Sequence, residues 1–471
     1  MAKMSPFMTQ NFDLILSGGT VCLPAGETKA DIGVIGGRIA AIGALAGAKA
    51  AETIDCTHLH ILPGVIDSHV HFREPGLTHK EDLSTGTLAA IAGGVTTTFE
   101  MPNTEPLTIT AEAHQDKMQR AQGRAWCDYA FYMGGCDGNA HYLQDLERLA
   151  GCSGVKVFMG SSTGALLAAE DETILRIMQS GRRRLCLHAE DEARLIERKH
   201  IATDSADVKN HPEWRDAECA LRAVKRAVAL GRQSGRRLHF LHVTSADEMA
   251  YLAAHKDIAT IETTPQHLTL FAPDCYEGMG TRAQMNPPIR SRAHRDALWA
   301  AVASGIVDTI GSDHAPHTLD EKAKTYPSSP SGMPGVQTLL PVMLNHVHDG
   351  RLSLMRLVDL LAHGPQRVYG ICGKGRIAAG YDADFAIVDV NARRKITDRW
   401  IKSKCGWTPY DGMQVTGWCV GTILRGQIAM WDDEITLRRP TGQPVRFEET
   451  LIESIITGAE NVTAPAHTCC G

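Results

Sequence analysis

No CxxC pair occurs among the 13 cysteines, which are scattered singly from Cys22 to Cys419, with only Cys469 and Cys470 adjacent. That excludes a zinc knuckle and a thioredoxin-type motif, and an odd number in a long chain reads as reduced, mostly buried thiols of a cytoplasmic protein. A basic segment followed by an apolar run, the mark of a signal peptide, is missing from Met1 to Asp13. No stretch approaches the ~18–20 consecutive apolar residues of a membrane helix, so no membrane partner is expected. Without export, the sequon Asn461-Val462-Thr463 carries no meaning. Basic charge is not in excess either. The chain has 48 basic and 54 acidic side chains, a net charge of −6, which gives no reason to expect a nucleic-acid partner.

What is present is the composition of a globular protein: 43% hydrophobic and 22% charged residues exclude a disordered or collagen-like chain. At roughly 150 residues per domain the 471 residues make about three domains, or one large domain with an appendage. The first 60 residues read as strands. Asp31–Ile35 and Arg38–Ile42 form a hairpin pattern around Gly36-Gly37, where glycine permits the positive φ of a tight turn. Similar strands return at Asp384–Val388 and Thr422–Ile428, so both chain ends are expected to build one small β domain.

The middle alternates apolar runs with helical stretches. Eight runs end in polar residues: Ile61–His71, Thr96–Asn103, Asp128–Gly135, Val155–Gly160, Leu185–Glu190, Leu238–Ser245, Ala259–Gln266 and Thr309–His314. Eight strands close a (β/α)8 barrel, whose chemistry sits at the C-terminal strand ends. Amphipathic segments such as Asp216–Gly231 and Ala293–Ser304 suit its outer helices. The expected fold is therefore α/β: a TIM-like barrel over residues 63–366, a small β-sandwich from residues 1–62 and 367–440, and a tail over 441–471.

The strand ends carry the candidate chemistry. In Asp67-Ser68-His69-Val70-His71, residues i and i+2 share a strand face, so His69 and His71 point the same way and suit one metal; taken alone they read equally as two solvent-facing histidines. Lys156 sits among apolar residues in Val155–Met159. A buried ammonium there needs a partner or a shifted pKa, unless its stem packs while its head reaches water. His188 and His242 close two further runs, and each alone reads as a core histidine. Gly311–His317 places Asp313 where the last strand meets its loop.

Taken together, His69, His71, Lys156, His188, His242 and Asp313 at the ends of strands one, four, five, six and eight resemble the metal ligands of the binuclear amidohydrolase superfamily. The resemblance implies that Lys156 reacts with CO2 to give a carbamate bridging two Zn2+ ions, with other divalent ions possible. It narrows at two segments, Asp67–Gly76 and Gly311–His317 with Lys322, which are similar to the two dihydroorotase signatures. Met101–Thr104, Asn286–Arg290 and Gly373–Asp384 also match, and the likeness runs from about Asn11 to Asp432. Some bacterial relatives with the same HFREPG motif have aspartate in place of the strand-four lysine; Gly154–Phe158 is closer to the carbamylated type, which implies two metals.

The implied activity is reversible cyclisation of N-carbamoyl-L-aspartate to L-dihydroorotate in de novo pyrimidine synthesis. A hydroxide bridging the metals would attack the ring amide, with Asp313 as the catalytic proton shuttle. The resemblance assigns the substrate carboxylate to Arg73, Asn103 and His317, and contacts to the ring to Asn286, Ser331 and Gly332. Allantoinases typically carry Asn where Arg73 stands, and dihydropyrimidinases diverge around it. The plain alternative for Arg73 is an ion pair with Glu74 or Asp82. The Pro327–Gly335 loop, rich in Pro, Ser and Gly, is expected to be mobile. Alternative functions are an allantoinase or dihydropyrimidinase, and an inactive dihydroorotase-like scaffold for a carbamoyltransferase, though such scaffolds lose ligands and all six are here. Implied partners are the small-molecule substrate, further copies in a dimer or tetramer, and a transcarbamoylase. Arg182-Arg183-Arg184 reads as a solvated helix end before strand five.

Overall fold

A computed structural model describes residues 11–162 and 166–451. Five strands open the chain: β1 (Asn11–Leu23), β2 (Gly26–Ile35), β3 (Arg38–Gly43), β4 (Lys49–Asp55) and β5 (His60–Pro63). Eight follow between helices: β6 (Val65–Val70), β7 (Val95–Glu100), β8 (Asp128–Gly134), β9 (Cys152–Phe158), β10 (Leu185–His188), β11 (Leu238–Phe240), β12 (Ala259–Thr263) and β13 (Thr309–Ile310). The last are β14 (Phe385–Lys395), β15 (Gln414–Leu424), β16 (Gln427–Trp431) and β17 (Glu434–Ile435).

Strands β6 to β13 pair in chain order, all parallel. The ring closes where Val70 bridges His314 and the His71 N–H donates to the His314 carbonyl at 2.7 Å. This is the expected (β/α)8 barrel. Helices cover its outside and side chains fill its inside, so every residue of these strands is buried and they read as apolar runs rather than alternating ones. The two amphipathic segments form helices close to where they are predicted. Helix Ala217–Ser234 starts at Asp216, whose side chain accepts from the Cys219 N–H, and stops at left-handed Gly235 (φ 73°). It buries Ala223, Val224, Ala227 and Val228; helix Arg292–Ala303 buries Leu298, Trp299 and Val302 in the same way.

Both chain ends build the second unit, a sheet of nine strands in which β5 pairs antiparallel with β14, Ile61 opposite Ile387. Leu14, Val34, Phe385 and Ile423 meet in its core, which brings strands from the two chain ends onto one apolar cluster. Gly36 and Gly37 turn the β2–β3 hairpin at φ 57° and 74°, as predicted. A Cβ on Gly37 would stand 3.0 Å from the Arg425 carbonyl oxygen, so the turn also needs glycine for this close approach.

Lys374 fastens sheet to barrel. Its Nζ donates to Asp128 (2.5 Å), at the start of β8, and to Asp384 (2.6 Å), just before β14, with Asp382 at 3.1 Å; Arg425 pairs with Asp128 as well. Burial alone would lower the lysine's pKa, yet Asp384, Asp128 and Asp382 hold it above its ordinary value. Lys374→Met leaves buried carboxylates without their counter-ion and is expected to cost about 3–5 kcal/mol of stability. Urea unfolding measures this, and an unchanged midpoint would contradict the fastening role.

Residues 441–451, at the head of the predicted tail, run along the barrel. The Tyr129 N–H donates to Gln443 O, the Val445 N–H donates to Tyr129 O, and Phe447 is buried against Phe99. The rest of that tail, with the sequon and Cys469-Cys470, lies outside the described residues. The eleven described cysteines are all free, ten of them buried and Cys372 half-buried. Burial pushes the Cys127 thiol up to about 12, which makes it a core residue rather than a nucleophile. Among the described residues no helix is long and apolar enough to cross a membrane.

Candidate active site

At the C-terminal rim of the barrel one cavity is lined by His69, His71, Arg73, Asn103, Lys156, His188, His242, Asn286, Asp313, Ser331 and Gly332, along with Phe158, Ser162 and Ala315. Every predicted site residue except His317 therefore faces one space; His317 lies directly behind Arg73. Three of the wall residues have left-handed backbone although none is glycine: Arg73 (φ 63°), His242 (φ 39°) and Asp313 (φ 44°). Such backbone costs on the order of 1–3 kcal/mol per residue and persists only where surrounding structure imposes it.

The two histidines of β6 and its end converge on one carboxylate. His69 Nε2 and His71 Nε2 each lie 3.3 Å from Asp313 Oδ1. The ligand atoms of His69, His242 and Asp313 all fall within 4.8 Å of one another. His188 Nδ1 is 3.0 Å from His242 Nε2, which joins strands five and six to the same cluster. Burial holds His71 down to about 3 and lowers His188 and His242 too, so these imidazoles are neutral and have lone pairs to offer. Burial works against the Asp313 carboxylate, but His69, His71 and His242 hold it well below the usual range.

Each outer face of the cluster is fixed by a further polar group. His69 Nδ1 lies 2.7 Å from Glu262 Oε1 on β12, and His71 Nδ1 lies 2.8 Å from Asn103 Oδ1 beyond β7. Both oxygens accept from an Nδ1–H, which leaves each Nε2 as the lone pair turned inward. Glu190 accepts from His188 Nε2 at 2.9 Å and is itself held by Arg215. Glu262 is fully buried; His69 and His239 bring it down to about 2 against the opposing effect of burial. Replacing it with Gln is expected to weaken metal binding about 10–100-fold. Competition with a chromophoric chelator measures this, and unchanged affinity would remove Glu262 from the site.

Lys156 is fully buried, its Nζ has no hydrogen-bond partner, and it stands 4.5 Å above the Phe158 ring. Burial pulls its pKa down to about 8, so the neutral, nucleophilic amine is readily reached. His242 Nδ1 is likewise buried without a partner. Two orphaned nitrogens beside neutral imidazoles and a carboxylate are a donor set that fits divalent cations.

Arg73, only 2% exposed, forms the other end of the cavity. Among the described residues it makes no ion pair with a carboxylate: Glu74 pairs with Arg124, and Asp82 caps helix Leu83–Ala92 and meets Lys404. Its Nε donates to Pro316 O at 3.2 Å. Lys80 Nζ, a pure donor, lies 3.2 Å from His317 Nδ1, so the ring's proton sits on Nε2 and goes to Ser331 O at 3.0 Å. The 3.3 Å approach of Arg73 Nη2 to that same Nε2 is then a contact between two donors, and the guanidinium faces the cavity with hydrogen-bonding capacity unspent. Burial brings Arg73 to about 10, so it stays charged near neutrality.

Lys80, Glu190 and Glu262 escape single-residue reading of the sequence, and Lys322 entered it only through the resemblance. Lys322 donates to Gln284 O (3.0 Å) and Pro330 O (2.8 Å), and Gly332 N–H donates to Gln284 O (2.9 Å). The 327–335 loop, expected to be mobile, is tied down at the cavity edge by these bonds.

Barrel, strand-end histidines and buried lysine define a class. The chain belongs to the amidohydrolase family, whose model matches residues 60–429; it is a hydrolase. It is similar to a dihydroorotase of Halobacterium salinarum, 36% identical over 428 residues, spanning 88% of this chain and 96% of the relative. It is equally similar to an allantoinase of Deinococcus radiodurans, 36% identical over 451 residues, spanning 93% and 99%. Among solved structures, the L-hydantoinase (dihydropyrimidinase) of Arthrobacter aurescens superposes with a TM-score of 0.87 at 31% identity, covering 92% of this chain and 99% of that one.

Proposed function

We propose that this chain is a metal-dependent cyclic amidohydrolase acting on dihydroorotate, and that it joins N-carbamoyl-aspartate into that ring in the reverse direction. The observation that carries the substrate choice is Arg73: a buried, charged guanidinium with no carboxylate partner among the described residues, at the edge of the imidazole cluster. A ring bearing a carboxylate supplies the missing partner in the bidentate geometry guanidinium prefers. Allantoin or a dihydropyrimidine would leave Arg73 buried against a neutral ring, so those substrates are the less favoured reading.

His69, His71, His188, His242 and Asp313, with Lys156 as its carbamate, would hold two divalent cations, zinc by the chemistry of the donors. When bound, they supply the Lewis acidity that polarises an amide carbonyl and acidifies water. Neutral Lys156 Nζ would add to CO2, an N–C bond forming as one C=O π bond opens and a proton leaves, and the carbamate would offer oxygen donors that an ammonium lacks. Arg73 fixes the substrate carboxylate. Pro316 O, which accepts from Arg73 Nε, holds Arg73 in place, and Asn103 sets the orientation of His71. Asp313 takes up the proton of the attacking water on a carboxylate oxygen and passes it to the departing ring nitrogen.

Asp313 must start ionised for ring opening and protonated for ring closure. Because the Asp313 carboxyl is held well below the usual range, it stays ionised across pH 5–9, so hydrolysis is expected to stay level with respect to this group while closure rises as pH falls. Initial rates in both directions across pH 5–9 test this; parallel profiles, or wild-type turnover in Asp313→Ala, would contradict the assignment.

A further inference from the structure

Arg183 does not belong to a solvated helix end: it is buried, while Arg182 beside it is exposed. At the N-terminal mouth of the barrel, opposite the imidazole cluster, lies a cavity of about 130 Å³ whose walls include Ser153, Arg183, Arg184, Arg237, Arg367 and Tyr369. Two carboxylates, Glu448 and Glu449, line it as well. Most of these charges are already used. Buried Arg183 donates to the carbonyls of Glu147, Cys152 and Ser153 and lies over the Phe447 ring. Arg367 pairs with Asp359 at 2.8 Å, and Glu449 is held by Arg182 at 2.7 Å.

Three donors remain. Arg184, half-buried, makes one long contact of 3.5 Å to Leu238 O. Arg237, beside it, has no side-chain hydrogen bond or ion pair among the described residues. Burial and the charge of Arg237 both lower the pKa of Arg184, so the two guanidiniums repel each other across this space. The third is Ser153, 2% exposed, whose Oγ has no partner. It occupies the irregular step of β9, where pairing jumps from Phe131–Cys152 to Tyr132–Gly154. A buried hydroxyl without a partner and two guanidiniums that repel each other line one cavity; an anion gives the hydroxyl an acceptor and offsets that repulsion.

We propose that this cavity is an anion site that takes a phosphoryl or similarly dianionic group, gripped by Arg184 and Arg237 with Ser153 Oγ as a third donor. The space suits a tetrahedral oxyanion and little more, so the remainder of a larger phosphate ester would project past exposed Arg237 into solvent.

Calorimetric titration of the full chain with inorganic phosphate, and separately with ribose 5-phosphate, tests this. One saturable site is expected in wild type and in Arg73→Met, the latter excluding occupancy of the catalytic clamp. Binding is expected to weaken at least about tenfold in Arg184→Gln and in Arg237→Gln, with basal turnover unchanged. Arg237 is exposed, so its variant keeps the test alive should Arg184→Gln fold poorly, with circular dichroism as the check. Tighter binding of the sugar phosphate identifies a phosphate ester as the ligand, and the reverse order identifies free phosphate. No saturable binding, binding that survives both variants, or binding lost in Arg73→Met would overturn the proposal.

Discussion

Arg73→Met is expected to lower kcat/KM for dihydroorotate by about 10²–10⁴-fold, the equivalent of the about 3–5 kcal/mol lost when one partner of a buried charge pair is removed. The carboxylate is held in both ground and transition states, so most of the loss should appear in KM. Methionine fills similar volume without a charge, and among the described residues Arg73 makes no ion pair that its removal would orphan. Folding and metal content should therefore stay unchanged. The substitution also carries an internal control. Turnover of dihydrouracil, which has no carboxylate, should fall much less or rise. Equal losses on both rings would mean that Arg73 positions the loop around Pro316 and does not read the substrate.

Lys156→Met separates two roles for a buried lysine. A fully buried ammonium without a partner is a burden on the fold, so a lysine kept only for packing would be replaced by methionine with unchanged or higher stability and unchanged activity. As the carbamate ligand it cannot be replaced. Activity is then expected to fall by at least about 10²–10³-fold, the scale on which a single transition-state stabilising group acts. Bound metal should drop below two ions per chain while thermal stability of the metal-free protein holds or rises. Wild-type activity with full metal content in Lys156→Met would end the carbamate account.

The sequence made some of this arrangement legible and hid the rest, for physical reasons. A parallel strand buried on both faces is a short apolar run, and its C-terminal end is where the polar residues begin, so His69, Lys156, His188, His242 and Asp313 could be placed on strand ends without coordinates. HxH needs only the two-residue period of a strand. What stayed hidden depends on pairing across long separations. Glu262 meets His69 across 193 residues, Lys80 meets His317 across 237, and neither glutamate nor lysine differs locally from a surface residue. Arg182–Arg184 looked solvated because a run of charges ordinarily is; carbonyl oxygens of Glu147, Cys152 and Ser153 overturn that for Arg183. Residues 441–451 lack strong periodicity because their order comes from backbone bonds to Tyr129 and one buried ring, Phe447.

Similarity to a dihydroorotase, an allantoinase and an L-hydantoinase leaves the ring open; in the proposed function Arg73 chooses it. The most direct measurement is kcat/KM on dihydroorotate, allantoin, hydantoin and dihydrouracil, side by side, with the wild-type protein loaded with zinc in bicarbonate. The account predicts dihydroorotate as the preferred substrate by at least about 10²-fold, the scale set by pairing one buried guanidinium with a carboxylate. Preference for allantoin, hydantoin or dihydrouracil would contradict it.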